Sequence, residues 1–394
     1  VLPTVTLLLQ KSQLYAYRLS ESFEFLLDKF RKRKTLCKRL HLFLYLLTKT
    51  EKIHMAKKQA TIQDIATALN ITASTVSRAM SDHPKIKKST KELVWQKAKE
   101  LFYQPNSIAA SLRKGKANTI GMIVPRINRH FFSNVITGVE SILNPIGYTL
   151  IICQSDETLE KEMQNIKTLI ANRVDGILVS TSIETTQTRH FEKALNMTIP
   201  LVRFDRVVDE MEVSKVENDD VSGSYDLTRH LLDHGCKSIM WIGGPRTSSI
   251  YRNRYAGYRK ALAESHIDAM KMPLFEGNND LPAAKEFFSK YMEKNELPDA
   301  IFAASDLMAL GVIQVLEAAG LKIPDDIAVA GYSNEPFSAY ISPKLTTVDQ
   351  FSEEIGRAAA TLLLDQINAD DESFVPRKII IKPKLIVRES TVKK

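Results

Sequence analysis

Ala73, Ser74, Ser77 and Arg78 fall on one side of a short stretch whose Val76, Ala79 and Met80 fall on the other. A guanidinium flanked by small side chains can lie flat against a polar edge. Its fork of donors suits a pair of acceptors on a partner, which is recognition rather than bond making. The sequence has no phosphate-loop lysine motif, no metal-ligand pair on a helix and no nucleophile elbow. Trp241-Ile-Gly-Gly-Pro245 is a strand-end turn, not a dinucleotide fingerprint. An enzyme is not expected. Cys37, Cys153 and Cys236 are odd in number and far apart, so neither a disulfide framework nor a zinc site is implied, and a reducing, cytoplasmic setting fits.

The charge of +8 is unevenly placed along the 394 residues. Residues 1–54 and residues 55–115 each carry 11 Lys/Arg against 4 Asp/Glu, which leaves the other 279 residues net −6. Such asymmetry points to a polyanion partner at one end and a neutral or acidic body elsewhere. Within residues 1–54 lie a basic run, Arg31 to Lys34, and an apolar run, Leu40 to Leu47. The apolar run is shorter than the roughly 20 residues a bilayer span needs, and the polar Thr48 to Lys52 after it is no cleavage site. Residues 1–54 therefore read as a disordered extension or as sequence upstream of a start at Met55, and no membrane partner is expected.

Around Arg78 the spacing predicts two helices and a turn. Ile62, Ile65, Ala66 and Leu69 recur at three and four residue steps, with Thr61 and Asp64 in an N-cap arrangement. Asn70-Ile71-Thr72 breaks the pattern, and Thr72 can cap a second helix, Ala73 to Met80. A third helix is expected after Pro84, opened by a Ser89–Glu92 capping box and closing a small core with Leu93, Val94, Ala98, Leu101 and Phe102. A generic helical bundle would show the same spacing.

The whole string is more specific. Ala60-Thr-Ile-Gln-Asp-Ile-Ala, Thr75-Val-Ser-Arg78 and Phe102-Tyr-Gln-Pro-Asn106 together closely resemble the DNA-binding head of the lactose, galactose and purine repressor family. The resemblance implies a small all-α helix-turn-helix domain, residues 55–104, with Ala73, Ser74 and Arg78 at the positions that reach base edges. Thr61, Thr75 and Ser77 join them as expected DNA-binding residues. Asn106 to Gly115 resembles the family's hinge helix, within a hinge and linker of residues 105–116. Leu112 matches the leucine that wedges into the minor groove, and Asn106, Ala109 and Arg113 lie beside it. So short a helix is unstable alone in water and should fold only on DNA.

Beyond Lys116 the pattern alternates. Buried-strand candidates are residues 119–124, 148–153, 175–179, 200–204, 238–242, 299–303 and 327–331, with amphipathic stretches such as 157–171, 223–233, 255–263, 282–293 and 307–319 between most of them. This rhythm gives parallel sheets covered by helices. Gly121 to Pro125, Phe131-Phe132, Val174-Asp-Gly-Ile177, Phe204-Asp-Arg206, Ala303 to Gly311, Val329-Ala-Gly-Tyr332 and Leu345-Thr-Thr-Val348 extend the resemblance to about Ser390. It implies an α/β two-lobed sensor of the type I periplasmic-binding-protein fold over residues 117–394, dimerising through its lobes. By the same resemblance, Phe131 and Phe132 stack on a ligand ring, and Arg254 and Asp306 are polar anchors. Asp306 could instead cap the helix it begins, and Arg254 could be a solvated member of the group Arg246, Arg252, Arg254 and Arg259.

Two departures bear on the ligand. Asn279, in Glu276-Gly-Asn-Asn-Asp280, stands where relatives often place a ring, and His130 replaces a frequent proline. A polar effector such as a sugar or sugar derivative is the expectation, with no cofactor. The expected function is a sequence-specific repressor binding double-stranded operator DNA as a homodimer. A solute-binding protein of a sugar uptake system and an architectural DNA-bending protein are the alternatives; the first needs export and no basic head, the second needs no cleft.

Overall fold

The computed structural model describes residues 60–104, 116–206, 211–369 and 374–392. The hinge residues Asn106, Ala109, Leu112 and Arg113, and Met55 with the 54 residues before it, lie outside the described residues. The chain divides into two units, Val1–Asn106 and Ser107–Lys394.

The first unit is three helices, α1 (Ile62–Leu69), α2 (Ala73–Met80) and α3 (Lys88–Glu100). Thr61 and Asp64 form a reciprocal capping box at the start of α1, and Asn70 ends it in the left-handed conformation at φ 52°. The Thr72 hydroxyl accepts from the backbone N–H of Thr75 and so starts α2. α3 begins differently from expectation: Lys87 stands at its N-cap without a side-chain bond, and Ser89 already lies inside the first turn. Ile65, Ala66, Val76, Ala79, Val94 and Ala98 form the core. Leu93 and Phe102, expected there, are 50% and 84% exposed. Adjacent helical residues diverge by about 100°, so Val94 inside puts Leu93 outside, and Phe102 follows the helix at φ 51° while Tyr103 packs in its stead.

The second unit has two lobes. In lobe 1, β1 (Thr119–Val124), β2 (Thr149–Gln154), β3 (Gly176–Val179), β4 (Leu201–Phe204), β5 (Ser214–Asn218) and β11 (Lys378–Ile381) form one sheet in the order β11-β5-β4-β3-β1-β2, every pair parallel. Ile120, Met122 and Val124 pack on α4 (His130–Leu143) and α11 (Ser352–Asn368), while Ile123 faces α5 (Leu159–Ala171) and α6 (Arg189–Leu195). Both faces of the sheet are covered, which is why these strands read as apolar runs. The helix pair α4 and α11 touches through glycines: a Cβ on Gly138 would fall 2.1 Å from the Glu353 carbonyl oxygen, and one on Gly356 2.1 Å from that of Val135.

Lobe 2 repeats the plan. Its sheet, in the order β7-β6-β8-β9, uses β6 (Ile239–Gly243), β7 (Leu274–Glu276), β8 (Ala300–Ala303) and β9 (Ala328–Ala330). Trp241 and Phe302 pack with α7 (Asp220–Asp233) and α8 (Ser249–Glu264), and Met240 and Ile301 with α9 (Leu281–Met292) and α10 (Asp306–Ala318). β10 (Thr347–Asp349) and β12 (Lys384–Ile386) pair antiparallel beside it.

The chain crosses between lobes after β5, after β10 and after β11. These crossovers are bonded to one another: Asn218 Nδ2 donates to the Gln350 carbonyl at 2.8 Å, and the Asp219 N–H donates to the Ile381 carbonyl at 2.9 Å. The three crossovers therefore run side by side between the lobes.

Candidate functional site

In the first unit the polar face of α2 begins with three hydroxyls. Thr72 Oγ1 lies 2.9 Å from both Ser74 Oγ and Thr75 Oγ1, which gathers them at the positive end of the helix. Ser74 and Arg78 are exposed, and Ala73, Thr75 and Ser77 are half-buried. Thr61 is exposed, with its hydroxyl held by Asp64. Ser74 and Arg78 thus stand out on α2, whereas Ala73, expected to point outward with them, packs against the core of the unit because it opens the helix beside Ile71.

In the second unit a cavity of about 290 Å³ lies between the lobes. It is lined from lobe 1 by Phe131, Phe132, Glu157, Asp205 and Arg206, and from lobe 2 by Tyr251, Arg254, Asn279, Asp306 and Glu335, with Gln350 at a crossover. All five effector residues expected from the sequence line it. Phe131 and Phe132 meet edge to face, with centroids 5.1 Å apart. Phe132 is 4% exposed and packs into the lobe 1 core, so Phe131 offers the open ring surface.

Arg254 is no solvated member of a basic group. Its Nε donates to Asp220 Oδ1 at 2.9 Å, one Nη donates to the Ala304 carbonyl at 2.8 Å, and its guanidinium lies 3.9 Å from the centre of the Tyr332 ring. Three contacts fix its orientation. Nor does Asp306 cap α10: Ser305 is the N-cap, its hydroxyl accepting from the Met308 N–H. The Asp306 carboxylate is fully buried and accepts from the Thr347 hydroxyl at 2.6 Å and the Glu335 N–H at 2.7 Å. Burial pushes its pKa up to about 7 against these two donors. Asp205, held at φ 62° with Ser180 donating to it at 3.1 Å, is likewise raised by burial to about 6, although the neighbouring Arg206 opposes the shift.

Several cleft residues were not singled out from the sequence as ligand contacts. Asp205 and Arg206 follow β4, and the Phe204-Asp-Arg206 string at a strand end was the signal for them. Arg206 pairs with Glu157, and its Nε lies 3.9 Å from Asp205 Oδ2, while Tyr251 Oη and Gln350 Nε2 are buried without a hydrogen-bond partner among the described residues. Nothing in the pattern marked Gln350, because β10 before it is three residues long. Among the described residues no group of three or more His, Cys, Asp or Glu could hold a metal, and no helix is long and apolar enough to cross a membrane.

The family models "Bacterial regulatory proteins, lacI family" and "Periplasmic binding protein-like domain" match residues 61–106 and 228–391. The repressor PurR of Vibrio campbellii is 35% identical over 335 residues, 85% of this chain and 99% of its own. The chain belongs to the LacI family. As a LacI-family transcriptional repressor it also shares the fold of the lac repressor dimer bound to operator and the anti-inducer ONPF, at a TM-score of 0.76 and 23% identity over 85% of this chain and all of that one. A LacI family transcriptional regulator from Enterococcus faecium with bound ribose is similar at 28% identity and a TM-score of 0.63, over 69% of this chain and 98% of the other. The relatives are repressors rather than enzymes, in keeping with a sequence that carries no catalytic motif.

Proposed function

We propose that this repressor binds operator DNA through α2 as a homodimer and that a small polar effector in the interlobe cleft controls its affinity. The observation that carries the reading is the polar wall of the interlobe cavity, where Arg206, Arg254 and Asn279 stand with the Asp205 and Asp306 carboxylates. Guanidinium and amide donors beside carboxylate acceptors favour a ligand rich in hydroxyl groups, which both donate and accept. Half-exposed Phe131 gives such a ligand one apolar face, and Asn279 opposes it with a polar one. A hydroxylated single ring, a monosaccharide or its derivative, suits that wall, and the ribose-bound relative supports the class.

A purine base is the second reading, favoured by the 35% identity to a PurR repressor. Its flat ring would stack on Phe131 and meet the same donors through ring nitrogen and carbonyl acceptors.

Thermal shift and calorimetry of the full chain against pentoses, hexoses, their phosphates and purine bases separate the two classes. A ligand at about 100 times its dissociation constant adds about 2.7 kcal/mol of stability. Operator selected from random duplexes, followed by anisotropy with and without the ligand, tests control. DNA binding indifferent to every cleft ligand would favour a constitutive DNA-bending protein. Ligand binding without any DNA binding would favour a solute-binding protein.

A further inference from the structure

The cleft mouth is already bridged. Arg129, the residue before α4 in lobe 1, donates from Nη2 to the backbone carbonyl of Asn279 in lobe 2 at 2.9 Å, across 150 residues of sequence. The carbonyl it meets is held in place: Asn279 Oδ1 accepts from the hydroxyl of Ser305, the cap of α10 and the neighbour of Asp306, and Asp280 next to it caps α9. Arg129 itself is free of a capping duty, since the start of α4 has no side-chain cap bond. Glu335 of lobe 2 lines the same cavity as Arg129. A cationic side chain from one lobe thus meets a fixed carbonyl on the other, and both residues line the cavity.

We propose that Arg129 and the Asn279 carbonyl form a latch that holds the two lobes together across the cleft mouth before any effector binds. The latch makes Arg129 a gate residue rather than a ligand contact. It also gives the Asn279 side chain a structural purpose of its own, since it steadies the carbonyl against the start of α10. An effector enters when the Arg129 bond breaks, and it leaves by the same route.

Hydrogen exchange followed by mass spectrometry on the full chain, without ligand or DNA, tests this independently of the effector reading. In Arg129→Ala, amides of both mouth segments, residues 126–132 and 277–280, should exchange about tenfold faster, because a bond with a charged donor that closes the opening is lost. Arg126→Ala, an exposed neighbour in the same wall, should leave both segments as in the wild type. Asn279→Ala should accelerate both segments through loss of the Ser305 tether. Unchanged exchange in Arg129→Ala overturns the latch. So does acceleration confined to residues 126–132, which would mean that Arg129 serves only the local backbone of lobe 1.

Discussion

Arg254 and Asp220 form an ion pair at 2.9 Å in which both side chains are 4% exposed. The pair joins the first residue of α7, directly after a crossover, to a side chain of the ligand cavity. Removing one partner leaves the other charge buried and alone. Arg254→Ala should therefore destabilise the second unit by about 3–5 kcal/mol, whereas the double variant Asp220→Asn with Arg254→Met should recover much of that loss. Urea unfolding of the three proteins measures both effects. Equal midpoints for wild type and Arg254→Ala would show that the pair is not a structural element.

Asp306 makes stability depend on pH in a set direction. Its folded pKa of about 7 stands above the ordinary 3.8, so between those values the native state keeps a proton that the unfolded chain has released. Stability falls as pH rises through that window and is flat above it. Asp306→Asn should lose this slope, with a smaller slope of the same sign remaining from Asp205, raised to about 6. Urea midpoints at several pH values between the two limits give the comparison. A variant with the same slope as the wild type would place the titration elsewhere.

The glycine contact between α4 and α11 has no room for a methyl group. Gly138→Ala brings Cβ to 2.1 Å from a backbone oxygen, which no side-chain rotation relieves. The expected cost is about 1–3 kcal/mol from overpacking. A fall in melting temperature should appear in the second unit while the first unit is unaffected. No change would mean that the helices separate freely.

At the DNA, Arg78→Ala should cost about 1–3 kcal/mol at the matched operator and relax preference at one base position in each half-site. Leu112→Ala should act on bending, since a wedge touches no hydrogen-bonding edge, and its effect should vary with the central base step. Fluorescence transfer between operator ends should drop for Leu112→Ala and stay high for saturated Arg78→Ala. Normal bending and affinity in Leu112→Ala would remove the hinge assignment.

The parts legible in the sequence were those with strong local chemistry. Thr61, Asp64 and Thr72 announce two helix starts because capping depends on neighbours three residues apart. The apolar runs of β1 and β8 announce strands because both faces are covered. β5 was missed: Ser214-Lys-Val-Glu-Asn218 alternates, but its apolar face is one valine, and its place beside β11 is set by residues 163 positions away. The cleft divided in the same way. Phe131, Arg254, Asn279 and Asp306 could be placed by motif, whereas the pairing of Arg254 with Asp220 and the role of Ser305 as cap depend on elements brought together only by the fold.

The bonds Asn218 to Gln350 and Asp219 to Ile381 have one more implication. Three strands of chain tied side by side resist sliding and splaying but yield to bending, as the leaves of a bound book do. The tie sits at the edge where all three crossovers run together. Gln350 lends its carbonyl to that edge and lines the cavity as well, so one residue belongs both to the tie between the crossovers and to the cavity wall.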